Sequence, residues 1–234
     1  MTRYLAVVII LLTTGCAGVS TLDRPGDYYP AAQVNDSKAS LFRGIDNLLS
    51  DKEIERILNF QLKIPKMNRI AILKLSHDRY WQNYSRDFNY LTESVATDFV
   101  SKLRDSARVY DASFLPGMLI PEKRTIPFLR EAAARYQADL LLAYRTNCRT
   151  FEKYKFFSAS ETKAYCSVEV ILLDVRSGIV PFTALVSNEF EAKKKKDDVN
   201  FHETIKKAEL VSISKSLKDV AERINSFLDN VGEL

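Results

Sequence analysis

Two rhythms of apolar and polar residues alternate along this chain, and the points where the rhythm changes mark the elements. Residues 41–60 carry helical spacing, interrupted at Ser50, where Ser50, Asp51, Lys52 and Glu53 have the spacing of a capping box and start a second helix. Pro65 ends that region, and the run RIAILKL at 69–75 reads as a short buried strand. Helical spacing returns with Phe88, Leu91, Val95, Phe99 and Leu103, while Asp87, Glu93, Asp98 and Lys102 fall on other faces. A brief strand over 108–112 leads into the turn-rich stretch FLPGMLIPEKRTIP. A helix bearing Phe128, Leu129, Ala132, Ala133 and Tyr136 follows.

The second half changes to period two. Leu140, Leu142, Tyr144, Thr146 and Cys148 share one face of a strand over 140–151, and Cys166, Val168, Val170 and Leu172 share one face of a strand over 164–174. An antiparallel hairpin that places Cys148 opposite Cys166 also places Tyr144 opposite Val170 and Leu142 opposite Leu172, so one register pairs core with core and thiol with thiol. A turn at Arg176, Ser177 and Gly178 precedes a third strand with Val180, Phe182, Ala184 and Val186 on one face. The closing helix is signalled by cap spacing over 200–203 and by the stripe Ile205, Ala208, Ile213, Leu217, Val220, Ile224 and Phe227, which reads as core packing. The order is α-β-α-β-α-β-β-β-α. It predicts an α/β fold with α+β character in its second half: one mixed sheet of about five strands, parallel where helices intervene and antiparallel in the final run, with helices packed on it.

The amino terminus follows different rules. Arg3 provides a positive start, residues 5–12 an unbroken apolar run, and small Thr14 and Gly15 precede Cys16. That run is too short for a transmembrane helix, which needs about 20 apolar residues. Residues 12–16, LTTGC, resemble the bacterial lipobox, in which the cysteine becomes the lipidated first residue, although Thr13 stands where Leu is commoner. Ordinary cleavage after Ala17 is the alternative and would release a soluble protein. The resemblance implies a signal peptide over 1–15 and a lipid (palmitate) anchor on Cys16; Ala17 in place of Asp favours the outer membrane, facing the periplasm. Residues 16–38, with two prolines and two glycines, read as a flexible tether, and 39–234 as a single globular domain.

Composition narrows the function. With 46% hydrophobic and 27% charged residues the chain is globular in character, and a net charge of +4 without a concentrated basic stripe indicates no nucleic-acid partner. Of three cysteines, assigning Cys16 to lipid leaves Cys148 and Cys166, for which an oxidising compartment predicts a cross-strand disulfide. The Lys193–Lys196 run, followed by Asp197 and Asp198, reads as a solvated loop, with nonspecific contact to anionic lipid or glycan as the alternative. No Gly-x-Ser-x-Gly elbow, His-Glu-x-x-His or glycine-rich phosphate loop is present, and the only histidines, His77 and His202, read as polar surface residues. Asp174 before Arg-Ser-Gly reads as a turn former. No enzyme, cofactor or metal site is expected.

The run RIAILKL opening the sheet, REAAARYQADLLLAYR entering the third strand and VEVILLDVRSGIVPFTA as a hairpin resemble, over residues 66–229, the periplasmic lipoproteins of the curli-secretion and LpoB type. DYYP and ASFLPGM show a fainter resemblance to rhombotarget lipoproteins, although the glycine-rich sorting segment of partners of the rhomboid-like protease is absent from the FLDNVGEL end. The first resemblance implies an interaction module that activates an envelope enzyme or assists surface assembly. A secretion-pore subunit is the second class, disfavoured because the segments between Cys148 and Cys166 and over 188–199 are short and charged for membrane hairpins. A hydrolase with an unrecognised site is the third.

If the first two strands are parallel, the loops SHDRYWQNY and SFLPGMLIP leave them at one edge. They gather His77, Arg79, Tyr80, Trp81, Tyr84, Phe114, Leu115, Met118 and Leu119, rich in the types found at binding hot spots, as a candidate surface for an envelope protein. The alternative is that they form a lid contributing to the core. The identity of the partner and the oligomeric state are not encoded in any motif.

Overall fold

Alternation of strand and helix in the first half does produce parallel pairing, in a computed structural model that describes residues 29–30, 41, 49–75 and 84–232. The elements are β1 (Tyr29–Pro30), α1 (Asp51–Leu58), β2 (Asn68–Lys74), α2 (Arg86–Arg104), β3 (Val109–Phe114), a short 3-10 turn (Gly117–Leu119), α3 (Ile126–Arg135), β4 (Leu140–Lys153), β5 (Glu161–Asp174), β6 (Phe182–Lys193) and α4 (Phe201–Asn230). The main sheet runs β3-β2-β4-β5-β6, parallel across β3-β2-β4 and antiparallel across β4-β5-β6. This is the single mixed α/β sheet expected from the order of elements, with the two-residue β1 added antiparallel against β4.

Two cores follow from the two faces of the sheet. Ile70, Ile72, Leu140, Leu142, Tyr144, Val168, Val170 and Leu172 face α2, through Val95, Phe99 and Leu103, and the stripe of α4. Ala71, Leu73, Leu141 and Leu173 face α3, through Leu129, Ala132 and Ala133. Two crossovers place α2 and α3 on opposite faces, which is what lets β2 and the start of β4 be apolar at consecutive positions.

The hairpin register is the one in which Cys148 meets Cys166, Tyr144 meets Val170 and Leu142 meets Leu172. Pairing continues past the expected strand ends to Lys153 and Glu161, and β6 starts at Phe182 rather than Val180 and runs to Lys193. Pairing of β2 with β4 stops at Lys74 and Tyr144, so β4 projects about 30 Å beyond its neighbour. The projecting part changes character: Arg145, Asn147 and Arg149 stand where Leu141 and Ala143 stood, since α3 no longer covers that face. Its other face stays covered because α4, about 45 Å long, extends along β5 and β6.

Local signals account for the termini. Ser50 and Glu53 form the capping box of α1, Ser85 caps α2, and Asn200 Oδ1 accepts the Glu203 amide at 2.9 Å to cap α4. Asp174 is the turn former at the β5–β6 connection, accepting the Ser177 amide at 2.7 Å, while Gly178 takes the left-handed φ of 79° that closes the turn. Among the described residues no helix is long and apolar enough to cross a membrane. Cys16, the 1–15 leader and the first helical segment over 42–48 lie outside the described residues.

Candidate functional site

Parallel strands β2 and β3 end at the same edge of the sheet, beside the middle of β4, and the connections that leave them are held together there. Arg124 donates to the Leu75 carbonyl at 2.7 Å, and the Leu115 amide to the Ile72 carbonyl at 2.8 Å, tying the loop after β3 to β2 and the start of its loop. Of the residues expected at this edge, His77, Arg79, Tyr80 and Trp81 lie outside the described residues. Met118 is 98% exposed and Leu119 is also on the surface. Phe114 is partly buried against the main core. Leu115 is only 4% exposed, inside the second core with Leu129 and Ala133; its place there corrects the expectation that it offers area to a partner.

Tyr84 belongs to a different neighbourhood. Its ring lies 4.3 Å from that of Phe88 and 6.4 Å from that of His202, over the first turn of α4. Burial, followed by the Glu209 and Glu203 carboxylates, raises its hydroxyl above the usual tyrosine value. Beneath it α2 and α4 run parallel, shown by Ser85 meeting Glu203 at one end and Asn225 donating to the Lys102 carbonyl at 2.9 Å near the other. Two positive helix ends are therefore adjacent.

Glu203, with 0% exposure, is the anion placed between them. It accepts the Ser85 amide at 3.2 Å, the Val199 amide at 3.1 Å and the Ser85 hydroxyl, and lies 2.8 Å from Lys207. Lys207 also reaches Asp198 at 2.7 Å, which accepts Thr204 Oγ1 at 2.7 Å. Burial works to raise the Glu203 carboxyl, but Lys207, Ser85 and Val199 together outweigh it and hold it below the ordinary glutamate value. Asp198 is lowered in the same way against its own burial by Lys207, Thr204 and the Lys195 amide. Every group in the cluster is satisfied by another, the arrangement of a structural clamp rather than of a reactive acid. The sequence shows Glu203 only as the third residue of a cap; its reach to Ser85 is a tertiary contact.

Beyond the clamp the β4–β5 hairpin ends in an aromatic tip. Phe156 is 93% and Phe157 97% exposed, their rings 4.9 Å apart. Tyr154 packs edge-on against Phe201 of α4 at 5.2 Å, fixing the base of the tip. The lysine run is its neighbour: Lys193 pairs with Glu161 in the ladder, and the Lys194 amide donates to the Ser160 carbonyl at 2.9 Å. Sequence periodicity passed over this tip because its two phenylalanines belong to neither a helical nor a strand face.

Lower on the same hairpin, Cys148 and Cys166 are joined, their Cα atoms 4.1 Å apart. The Ser212 hydroxyl accepts the Cys166 amide at 3.2 Å and donates to the Asn188 carbonyl at 2.7 Å, while Ser216 donates to the Cys166 carbonyl at 3.3 Å. These two serines sit in the apolar stripe of α4, where the sequence offers no signal for their role. Among the described residues no group of three or more His, Cys, Asp or Glu side chains is placed to hold a metal ion. Two open depressions lie at the β6–α4 seam, both lined by Phe182, Arg223 and Ser226.

No family model and no curated relative matches the sequence. Solved structures with a similar course of chain include a PelC dodecamer from Paraburkholderia phytofirmans, at 17% identity and TM-score 0.32 over 70% of this chain and 91% of that one. A homolog of a neuraminyllactose-binding hemagglutinin from Helicobacter pylori matches at 11% identity and TM-score 0.40, over 74% of this chain and 91% of that one. The lipoprotein GNA1162 from Neisseria meningitidis matches at 11% identity and TM-score 0.28, over 70% of this chain and 99% of that one.

Proposed function

We propose that this chain is a lipid-anchored envelope protein, acylated on Cys16 at the periplasmic face of the outer membrane, which works by contact as a non-enzymatic accessory to an envelope enzyme or to surface assembly. The observation that carries the reading is the fate of the cysteines. The paired strands bring Cys148 and Cys166 together within the hairpin, so the remaining cysteine of the three is Cys16, behind an apolar export run. A bond of that kind persists in an oxidising compartment, and several acyl chains give stable attachment without a transmembrane helix. The satisfied clamp at Glu203 supports a contact role over an acid-base one, since its carboxylate has no position left for a substrate.

The test has two readouts. Intact mass of the protein extracted from membranes is expected to show acylated Cys16, and Cys16→Ala to abolish membrane retention of the processed chain. A photo-crosslinker at the exposed Met118 is expected to capture an envelope protein in living cells. A peptidoglycan synthase assigns the enzyme-activating branch, and a secretion or surface-anchoring component the other. A soluble periplasmic chain that begins at Gly18, or one that keeps an unmodified Cys16, refutes the anchored reading.

A further inference from the structure

We propose that the tip of the β4–β5 hairpin is a second membrane contact: Phe156 and Phe157 enter an anionic phospholipid surface, and residues 193–196 hold its headgroups. The inference rests on the anchored reading for the presence of a bilayer nearby and for the orientation of the chain towards it, and on features of the structure for the contact itself.

The first is exposure. Burial of large apolar side chains drives folding, yet among the described residues these two neighbouring phenylalanines at the end of a projecting hairpin pack on each other and are otherwise left almost wholly in water. The second is charge. Lys194, Lys195 and Lys196 follow Lys193 directly beside this turn, since Lys193 is in register with Glu161 and Lys194 bonds Ser160. Glu161 is already shared between Lys155 at 2.8 Å and Lys193 at 3.1 Å and Asp198 belongs to Lys207, which leaves Asp197 against Lys194, Lys195 and Lys196, so the lysines of the run outnumber the carboxylate left beside them. Apolar aromatic residues with a lysine run beside them fit the boundary between acyl chains and anionic headgroups, where each part meets its preferred medium.

The third is where the chain leaves the described structure. Tyr29 and Pro30 pair with Glu152 and Phe151, immediately before the tip. Residues 17–28 join that point to Cys16, and at full extension they reach at most about 45 Å. The tether thus departs from the same end that carries the phenylalanines, and a lipid on Cys16 brings this end, rather than the pole at Asn230, towards the bilayer. The fourth is rigidity. Tyr154 is packed on Phe201, and α4 backs β5 and β6, so the tip is presented on a fixed arm and loses little conformational freedom on insertion.

The experiment uses the acylated full chain in vesicles of phosphatidylethanolamine with phosphatidylglycerol. Ser158→Cys gives a thiol for an environment-sensitive fluorophore, because Cys148 and Cys166 are bonded and Cys16 is acylated; Asn230→Cys places the same fluorophore at the opposite pole. The expected result is quenching of the Ser158 label by nitroxide-bearing lipid and none at Asn230. Phe156→Ser with Phe157→Ser should abolish the quenching while acyl chains keep the protein on the vesicles, each phenylalanine being worth about tenfold or more in docked tip. Lys195→Gln with Lys196→Gln should lower it about fivefold per residue, as should vesicles of phosphatidylcholine alone.

A Ser158 label as untouched by lipid quencher as the one at Asn230, on protein still bound to vesicles, overturns the proposal and leaves the anchored reading standing. A label shielded from aqueous quencher but untouched by lipid quencher assigns the tip to a protein contact and also overturns it. If intact mass shows no acylation, the anchored reading fails, and quenching on addition of the chain to preformed vesicles decides the tip alone. Unchanged thermal midpoints for all variants exclude misfolding as the cause of any loss.

Discussion

Replacing Glu203 by Gln changes the clamp between α2 and α4 with almost no change in shape. The carboxylate takes two amides, the Ser85 hydroxyl and the Lys207 ammonium. The amide of Gln turns one acceptor oxygen into a donor facing other donors, and removes the charge seen by both helix ends. Hydrogen bonds to a charged group are worth about 1.5–3 kcal/mol each, and an uncompensated buried ion costs about 3–5 kcal/mol. Lys207 keeps Asp198 at 2.7 Å, so it is not left unpaired, and the loss settles near 3 kcal/mol. For a domain of this size that is about 9 °C in midpoint. Acid sharpens the test. Because the folded Glu203 is held below its usual value of 4.5, its contribution is complete above that value and disappears as pH falls through the lower folded one. Thermal melts of both proteins from neutral pH down to about pH 3 are expected to show a gap that narrows on acidification below about 4.5. A variant within about 2 °C of the parent at pH 7, or a gap constant with pH, refutes the clamp.

Removing the bridge with Cys148→Ala and Cys166→Ala opens a loop of sequence separation 18. It should cost about 3 kcal/mol, or about 9 °C, with reduction of the parent protein giving a similar shift; a change under about 2 °C contradicts it. Leu115→Ala should cost about 3 kcal/mol in denaturant unfolding, because the side chain fills the second core, whereas Met118→Ala at 98% exposure should stay within about 0.5 kcal/mol. Equal costs for the two would mean that the loop after β3 is packed differently.

Period two in both strands makes the β4–β5 register legible in the sequence, since only one pairing sets Leu142 on Leu172 and Cys148 on Cys166. The stripe of α4 was equally plain, with Ile205, Ala208, Leu217, Val220 and Ile224 all buried. Leu115 and Met118 were not separable: both are apolar residues in a turn-rich stretch with no period, and burial there depends on where Leu129 and Ala133 of α3 arrive. Ser212 and Ser216 interrupt the α4 stripe, and only the tertiary contacts with Cys166 and Asn188 give them partners.

By itself, then, the sequence determined the five strands of the main sheet and the helices between them, their order, the parallel-to-antiparallel change and the alignment of the paired cysteines, because periodicity, caps and turns act over a few residues. It did not determine β1, which falls in the stretch read as a tether. Tertiary structure alone decided which polar groups of α4 are buried, how far the hairpin outruns β2, and that Phe156, Phe157, the lysine run and the Tyr29–Pro30 strand meet at one end. Those outcomes depend on which distant segment covers each face, and no local pattern carries that information.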